Sequence, residues 1–194
     1  MTPLTTPEVL QASGGSARFV QGLTPLTVTA SLCGPAATCD CAPGDNLAVL
    51  RALEKAPAGS VLVVDAGGRR DCGHFGELAG MDAQYRELQG LVIAGAIRDG
   101  GALAVLGFPV FHRGFAPAGC AKERVGSVDE PVRIGGVEIA PGDQVVADSD
   151  AILVVSAADW PAVEAGARAI RQTEEDIRTR LVIGVPLSEL VELP

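Results

Sequence analysis

The sequence predicts an α/β fold contained in one domain. Three observations carry that prediction. Compact β-branched runs alternate with segments of helical spacing, the most apolar runs leave no polar face and so read as strands covered on both sides, and 194 residues at 47% hydrophobic content fill one core but hardly two. No repeat, low-complexity tract or long polar linker interrupts the pattern, so residues 1–194 read as a single unit.

Taken in order, residues 6–11 and 47–55 have helical spacing; Asn46 is placed to cap the second helix, and Pro57 with Gly59 ends it. Between them, residues 27–32 read as a strand. Residues 60–66, SVLVVDA, are a buried strand that delivers its C-terminal end into the glycine-containing loop 67–76. Chemistry can sit in that loop. Residues 75–88 carry good helix formers, and 91–97, LVIAGAI, return to a strand that stops at Arg98-Asp99-Gly100. A short helix over 102–106, strands over 109–113, 132–139, 144–147 and 152–156, and a long amphipathic helix over 160–180 complete the order.

Composition narrows the function. The longest apolar stretches, 59–66 and 91–97, fall far short of the roughly 20 residues that cross a bilayer, so no membrane partner is expected. Residues 1–10 lack the basic and apolar parts of a secretory signal, which points to a cytoplasmic protein. A net charge of -9 without a Lys/Arg cluster repels phosphate backbones, and one Trp and one Tyr offer little stacking surface; nucleic acid is disfavoured and a small molecule or a protein is the expected partner. Cys33, Cys39, Cys41, Cys72 and Cys120 are an odd set in a chain read as unexported, hence thiols. The Cys39-Asp40-Cys41 spacing is that of a strand and lacks the two-residue gap of a zinc knuckle.

Arg98 and Asp99 break the pattern at the end of the most apolar strand, where a core opens into a crevice. Two readings stand at this point: a ligand site, or local surface contacts with Asp99 capping the helix that follows.

A longer pattern bears on the choice: Gly73, three residues, Glu77, twenty residues, then Arg98-Asp99. It resembles the signature of the class II 4-hydroxy-4-methyl-2-oxoglutarate aldolases and their RraA-like relatives. Gly95-Ala96-Ile97-Arg98-Asp99, Phe108-Pro109-Val110-Phe111, Gly135-Gly136-Val137, Pro141-Gly142-Asp143 and Asp148-Ser149-Asp150 look like further family segments. The likeness spans residues 27–186. It departs at Ala151 and Ser156, where the family has Gly and Pro, and at Gln84 and Tyr85, where the family has small residues.

What the resemblance implies is a single-domain, swivelling β/β/α (RraA-like) fold, assembled as a homotrimer or homohexamer with sites between subunits. Asp99 would hold a divalent metal, Mg2+ first with Mn2+ or Co2+ as alternatives, which otherwise keeps water and substrate oxygens. Arg98 would bind the carboxylate or developing enolate of a pyruvyl unit, for which a forked permanent cation is suited. Glu77 would order waters around the ion. The backbone at Gly76, Leu78 and Ala79, at a helix start, would hold a substrate carboxylate. The implied catalytic set is thus Arg98, Glu77 and Asp99, and the implied reaction is metal-assisted retro-aldol cleavage of a small 2-oxo acid to pyruvate, with oxaloacetate decarboxylation through the same enolate. No Schiff-base lysine is required; Lys55 and Lys122 lie outside the motif. The alternative function is that of a non-enzymatic RraA-like regulator binding a partner protein such as an endoribonuclease. A menaquinone methyltransferase does not fit, because Gly135-Gly136-Val137 lies in a hairpin and not between a strand and a helix.

Other residues are read as structural. His74 occupies one of the motif's variable positions, where an exposed loop histidine is at least as good a reading as a substrate contact. His112 in a strand and Asp148 and Asp150 in a turn have local hydrogen-bonding roles. Glu174 is the candidate for an acid that a neighbouring subunit brings to the cleft.

Overall fold

The computed structural model describes residues 3–191. Helix α1 (Thr6–Ala12) opens the chain, followed by the short strands β1 (Arg18–Phe19) and β2 (Thr24–Pro25) and the long strand β3 (Leu32–Asp40). Then come α2 (Leu47–Lys55), β4 (Val61–Asp65), α3 (Glu77–Tyr85), β5 (Gly90–Ala94), β6 (Ala96–Ile97) and α4 (Gly100–Leu106). Strands β7 (Val110–His112), β8 (Gly114–Phe115), β9 (Ser127–Val128), β10 (Val132–Ile134), β11 (Val137–Ile139), β12 (Gln144–Ala147) and β13 (Ile152–Val155) precede the long helix α5 (Trp160–Val182).

The main sheet runs β1-β13-β12-β3-β4-β5-β7-β2, with β9 added against β3. Its centre is parallel, β3 to β4 to β5 to β7, while β12 joins β3 antiparallel. Alternate residues of one strand therefore serve two cores. Leu62 and Val64 pack with Val49, Leu53 and Phe75 beneath the helices α2 to α4. Val61 and Val63 face the opposite way, onto Ile134 and Ile139 of the β10–β11 hairpin and Val145 and Val154 of the outer strands. Helix layer, central sheet and second β layer give the β/β/α arrangement. A third cluster seals α1 and α5 against the other side of β12 and β13 through Val9, Leu153, Val155, Val163 and Ala167.

Three elements differ from the sequence reading, each for a local reason. Residues 27–31 form turns, Val28 is 85% exposed, and the strand starts only at Leu32. It continues to Asp40 through Gly34-Pro35, a pair that argues against a strand in sequence. Proline is tolerated because β3 changes neighbours there: residues 32–35 pair with β12 and residues 36–40 with β4. Gly34 is required by contact, since a Cβ would lie 2.4 Å from the Gly59 carbonyl oxygen. The apolar run 91–97 is likewise split at Gly95, where a Cβ would meet the Ala66 Cβ at 2.7 Å; beyond it β6 pairs with β8 instead of β7. The single strand that periodicity gives over 132–139 is instead the hairpin that the family resemblance implied, turned by Gly135 and Gly136 with φ of 56° and 85°.

Asn46 does not cap α2. Asp45 accepts the Leu47 amide at 2.8 Å, and Asn46 instead donates from Nδ2 to the His74 carbonyl at 3.0 Å. Asp45 is fully enclosed and also accepts the amides of Glu123 and Arg124 at 2.7 and 3.0 Å, which docks the segment after Cys120 onto the start of α2. Burial favours the protonated acid there, but these three amides outweigh it and hold the carboxyl below its ordinary range.

The N-terminal helix is tied to α5 by an ion pair of low exposure. Arg171 donates to Glu8 from Nε and an Nη at 2.8 and 2.7 Å, and the Thr5 amide adds a bond at 2.7 Å. Burial raises the Glu8 pKa, but the Arg171 and Thr5 bonds win and lower it from 4.5. Glu8→Ala is expected to lose about 3 kcal/mol at neutral pH, the lower end for breaking a buried pair, since Arg171 keeps some access to water. Because the folded pKa is depressed, that contribution is present above pH 4.5 and fades as the pH falls below it. Urea unfolding of both proteins at pH 7 and at pH 3 measures the effect, and the gap between them should narrow at the lower pH.

Candidate functional site

Three chain segments interlock at the C-terminal ends of the parallel strands. Gly73 bridges to Ala96 on one side and to Gly119 on the other, both in parallel sense. The His74 amide donates to the Ala96 carbonyl, the Arg98 amide to the Phe75 carbonyl, the Ala116 amide to the Ile97 carbonyl and the Gly73 amide to the Ala118 carbonyl, all at 2.8 to 2.9 Å. Side chains at the glycines would break the assembly. A Cβ on Gly73 would stand 2.8 Å from the Arg98 Cβ and 2.9 Å from the Ala116 carbonyl oxygen, and one on Gly76 would stand 2.7 Å from Asp99 Oδ2.

Arg98 faces a cleft of about 280 Å³ whose wall also includes Gly76, Leu78 and Ala79. Its guanidinium lies between glycines, with Nε and an Nη each 3.1 Å from where the Cβ atoms of Gly76 and Gly119 would be. Leu78 and Ala79 are in the first turn of α3, where backbone amides have no intrahelical acceptor. Asp99 and Glu77 stand beside the cleft and are not part of its wall. The Asp99 carboxylate is 3.3 Å from Arg98 Nε and 3.4 Å from the Glu77 amide, and its side chain is 43% exposed. Both sequence readings of Asp99 thus have a counterpart: its backbone carbonyl accepts the Leu103 amide at the start of α4, while its carboxylate caps nothing there.

The Asp99 backbone is left-handed, with φ 54° and ψ 35°. Asp tolerates that region better than most residues but still at a cost. The turn takes the chain from the strand end directly into α4 and leaves the carboxylate facing the α3 N-terminus. A hard oxygen donor on a side chain 43% exposed fits a cation that keeps most of its ligands as water.

The cleft includes residues that the sequence reading passed over. His74 is not an exposed loop histidine: it is fully enclosed and lines the cleft floor. Burial lowers its pKa, so the imidazole is neutral near pH 7. Lys122 and Asn46 line the same cleft although both are remote from the motif in sequence; Asn46 Oδ1 is buried without a hydrogen-bond partner. Only the docking of residues 121–124 on Asp45 brings Lys122 there, and no local pattern announces that contact. His112 has a backbone role, its Nδ1 accepting the Gly114 amide at 2.9 Å. Asp148 bonds the Thr6 amide and hydroxyl at 2.8 and 2.7 Å, which anchors α1. Glu174 lies elsewhere on the chain, in a groove with Thr5, Asp148 and Asp150. Cys33 packs with α1 and α5, whereas Cys39 and Cys41 lie under the helices, so the three do not converge.

Comparison with known proteins agrees with this fold. The RraA-like family profile, described as Aldolase/RraA, matches residues 6–154. A protein of Halalkalibacterium halodurans, carrying the name of a candidate 4-hydroxy-4-methyl-2-oxoglutarate aldolase, is 36% identical over 90% of this chain and 82% of its own length. Among solved structures, the RNA-processing inhibitor RraA of Thermus thermophilus superposes with a TM-score of 0.72 at 29% identity, over 80% of this chain and 93% of that one. A Geobacillus kaustophilus structure named as an S-adenosylmethionine:2-dimethylmenaquinone methyltransferase gives 0.75 at 31%, over 78% and 94%.

The strained turn makes a stability prediction. Asp99→Val places a β-branched residue in the left-handed region and is expected to be about 2 kcal/mol less stable than Asp99→Gly, which adopts it freely. Equal urea midpoints for the two variants would show that residue 99 is relaxed.

Proposed function

The chain belongs to the RraA-like family, and on that footing we propose that it is a divalent-metal-dependent lyase. It cleaves a carbon–carbon bond of a small 2-oxo acid and releases pyruvate, as 4-hydroxy-4-methyl-2-oxoglutarate aldolases and oxaloacetate decarboxylases do. The observation that carries the reading is the position of Arg98, a forked cation facing a cleft beside the first-turn amides of α3 and next to an exposed carboxylate.

Asp99 is the protein ligand for the cation, Mg2+ foremost and Mn2+ or Co2+ as alternatives, which when bound supplies Lewis-acid polarisation of the 2-oxo group. Arg98 pairs with the carboxylate of the pyruvyl unit and balances the charge that develops on the enolate. The amides of Leu78 and Ala79, with Gly76 leaving the approach open, hold an anionic end of the substrate. Glu77 orders a water that takes the proton of the 4-hydroxyl. As that proton leaves, the C3–C4 bond breaks, its electron pair passes to the enolate, and protonation at C3 completes pyruvate. Loss of carbon dioxide from oxaloacetate reaches the same enolate.

A homotrimer or homohexamer accompanies the reading. Leu78 and Tyr85 on α3, Val105 on α4 and Phe115 in β8 are 75, 88, 90 and 60% exposed, an apolar surface that a second copy would cover. Light scattering should give three or six chains per particle, and Tyr85→Asp should yield smaller species.

Pyruvate formation tests the activity. Incubation with 4-hydroxy-4-methyl-2-oxoglutarate or oxaloacetate, followed by coupled lactate dehydrogenase, is expected to give pyruvate with Mg2+ and none with chelator. Arg98→Lys should lower kcat/KM by about 100-fold, the scale of losing one oriented donor to a developing oxyanion. Asp99→Asn should remove the metal-dependent rate. Absence of pyruvate from both substrates would leave the regulator reading, in which the chain binds a partner such as an endoribonuclease, and inhibition of that partner's RNA cleavage would then be measured.

A further inference from the structure

A second group of ligand-type side chains lies on the wall of the Arg98 cleft and has no part in the proposed lyase chemistry. Cys72, His74 and Cys120 each direct a donor atom to one place, with all three atoms within 4.8 Å of one another. Cys72 Sγ is 3.9 Å from His74 Nε2. For comparison, bonds of about 2.3 Å to sulfur and 2.0 Å to nitrogen at tetrahedral angles separate such donors by roughly 3.5 to 3.8 Å. The Cys72–His74 pair needs to draw in by a fraction of an ångström and the group as a whole by about an ångström at most.

We propose that Cys72, His74 and Cys120 form a binding site for a thiophilic divalent cation, Zn2+ by preference, on the wall of the cleft. Two thiolates and one imidazole are the donors that such an ion selects over Mg2+ or Ca2+. Binding converts two thiols to thiolates and releases two protons, so the dication and its ligands become neutral overall. A neutral unit suits a place where Cys72 is 7% exposed and His74 is fully enclosed. Arg69 and Asp71, bonded to each other, are near Cys120 and act on it with opposite signs.

Two further features support a ligand at this place. His74 Nδ1 is buried with no hydrogen-bond partner, and Nε2 lies 3.9 Å from the Cys72 thiol, a weak bond for an enclosed imidazole. The backbone around it is fixed in advance: the His74 amide and carbonyl are bonded to Ala96 and Asn46, and Gly73 is bridged on both sides. Such a loop can present donors without first being ordered. Cys41, although close enough to influence Cys120, is not in the converging group. Three protein donors leave one tetrahedral position, and since His74 and Cys120 line the cleft, water or a small ligand from the cleft can fill it.

Reduced, chelator-stripped full-length protein titrated with CoCl2 tests the proposal. One Co2+ per chain should appear with a thiolate-to-cobalt charge-transfer band and the strong visible bands of a tetrahedral ion, and ZnCl2 should bleach both. Cys120→Ser and Cys72→Ser should lose the charge-transfer intensity, while Cys33→Ser and Asp99→Asn keep it, which separates this site from the Mg2+ reading. Circular dichroism confirms that each variant is folded. As a measurement that needs no variant, Zn2+ should slow alkylation of the half-buried Cys120 in the wild type, mapped by mass spectrometry. A reduced wild type without the charge-transfer band, a band that survives Cys72→Ser with Cys120→Ser, or Cys120 labelling that ignores Zn2+ would overturn the site.

Discussion

The close approach of three backbone segments around Arg98 is the constraint on which the rest of the site depends. Segments 72–76, 96–98 and 116–119 are bonded to one another as a small ladder beyond the main sheet, and that ladder exists only because residues 73 and 76 have no side chain. Gly95 performs the related task one step earlier. By lying against Ala66 it lets the chain leave the main sheet and pair with β8, and Arg98 directly follows that pairing. Hydrophobic burial places β5 in the core, but steric permission at three positions, Gly73, Gly76 and Gly95, decides where its polar end arrives. The stability of the core and the geometry of the site are therefore set by different residues.

Charge acts on two scales. A net charge of -9 spread over the surface turns away long polyanions, whose many phosphates sum the repulsion. A small dicarboxylate meets only what is local. There it finds Arg98 and Lys122 in the cleft wall and the first-turn amides of α3, with Asp99 already adjacent to one side of Arg98. The Arg98–Asp99 contact at 3.3 Å is half exposed and worth little on its own, which leaves the guanidinium free to exchange it for a ligand carboxylate.

The sequence was informative wherever one interaction type dominates. Unbroken apolar runs identify residues 60–66 and 91–97 as covered strands, and helical spacing places α2 and α5 nearly to their ends, because burial on both faces or on one leaves a pattern that can be read directly. Long-range exchange of neighbours was not readable. The strand read over 27–32 starts at Leu32 and runs on through Gly34-Pro35, where β3 passes from β12 to β4, and nothing within ten residues encodes that handover. The site divides in the same way. Glu77, Arg98 and Asp99 stood out through their spacing, whereas Asn46, His74, Cys120 and Lys122 reach the cleft through loop docking on Asp45 and through bridges of Gly73, contacts of residues far apart in the chain.

The buried cysteines add a consequence for how one cleft could keep two metal preferences apart. Asp99 offers a single hard oxygen, a donor that by itself discriminates weakly and binds later first-row ions at least as well as Mg2+. Selectivity at such a position has to come from elsewhere. On the proposed reading, a two-thiol, one-imidazole set on the same wall would hold thiophilic ions far more tightly than one carboxylate can, so Zn2+ at low concentration would fill the sulfur site first and leave Asp99 to whichever hard cation is abundant. Burial works in the same direction on two of the donors, since it favours the protonated form of the Cys120 thiol and the neutral form of His74. Zn2+ with two thiolates and a neutral imidazole carries no net charge, so an occupied sulfur site would leave the carboxylate end of the cleft to Arg98, Asp99 and the α3 amides.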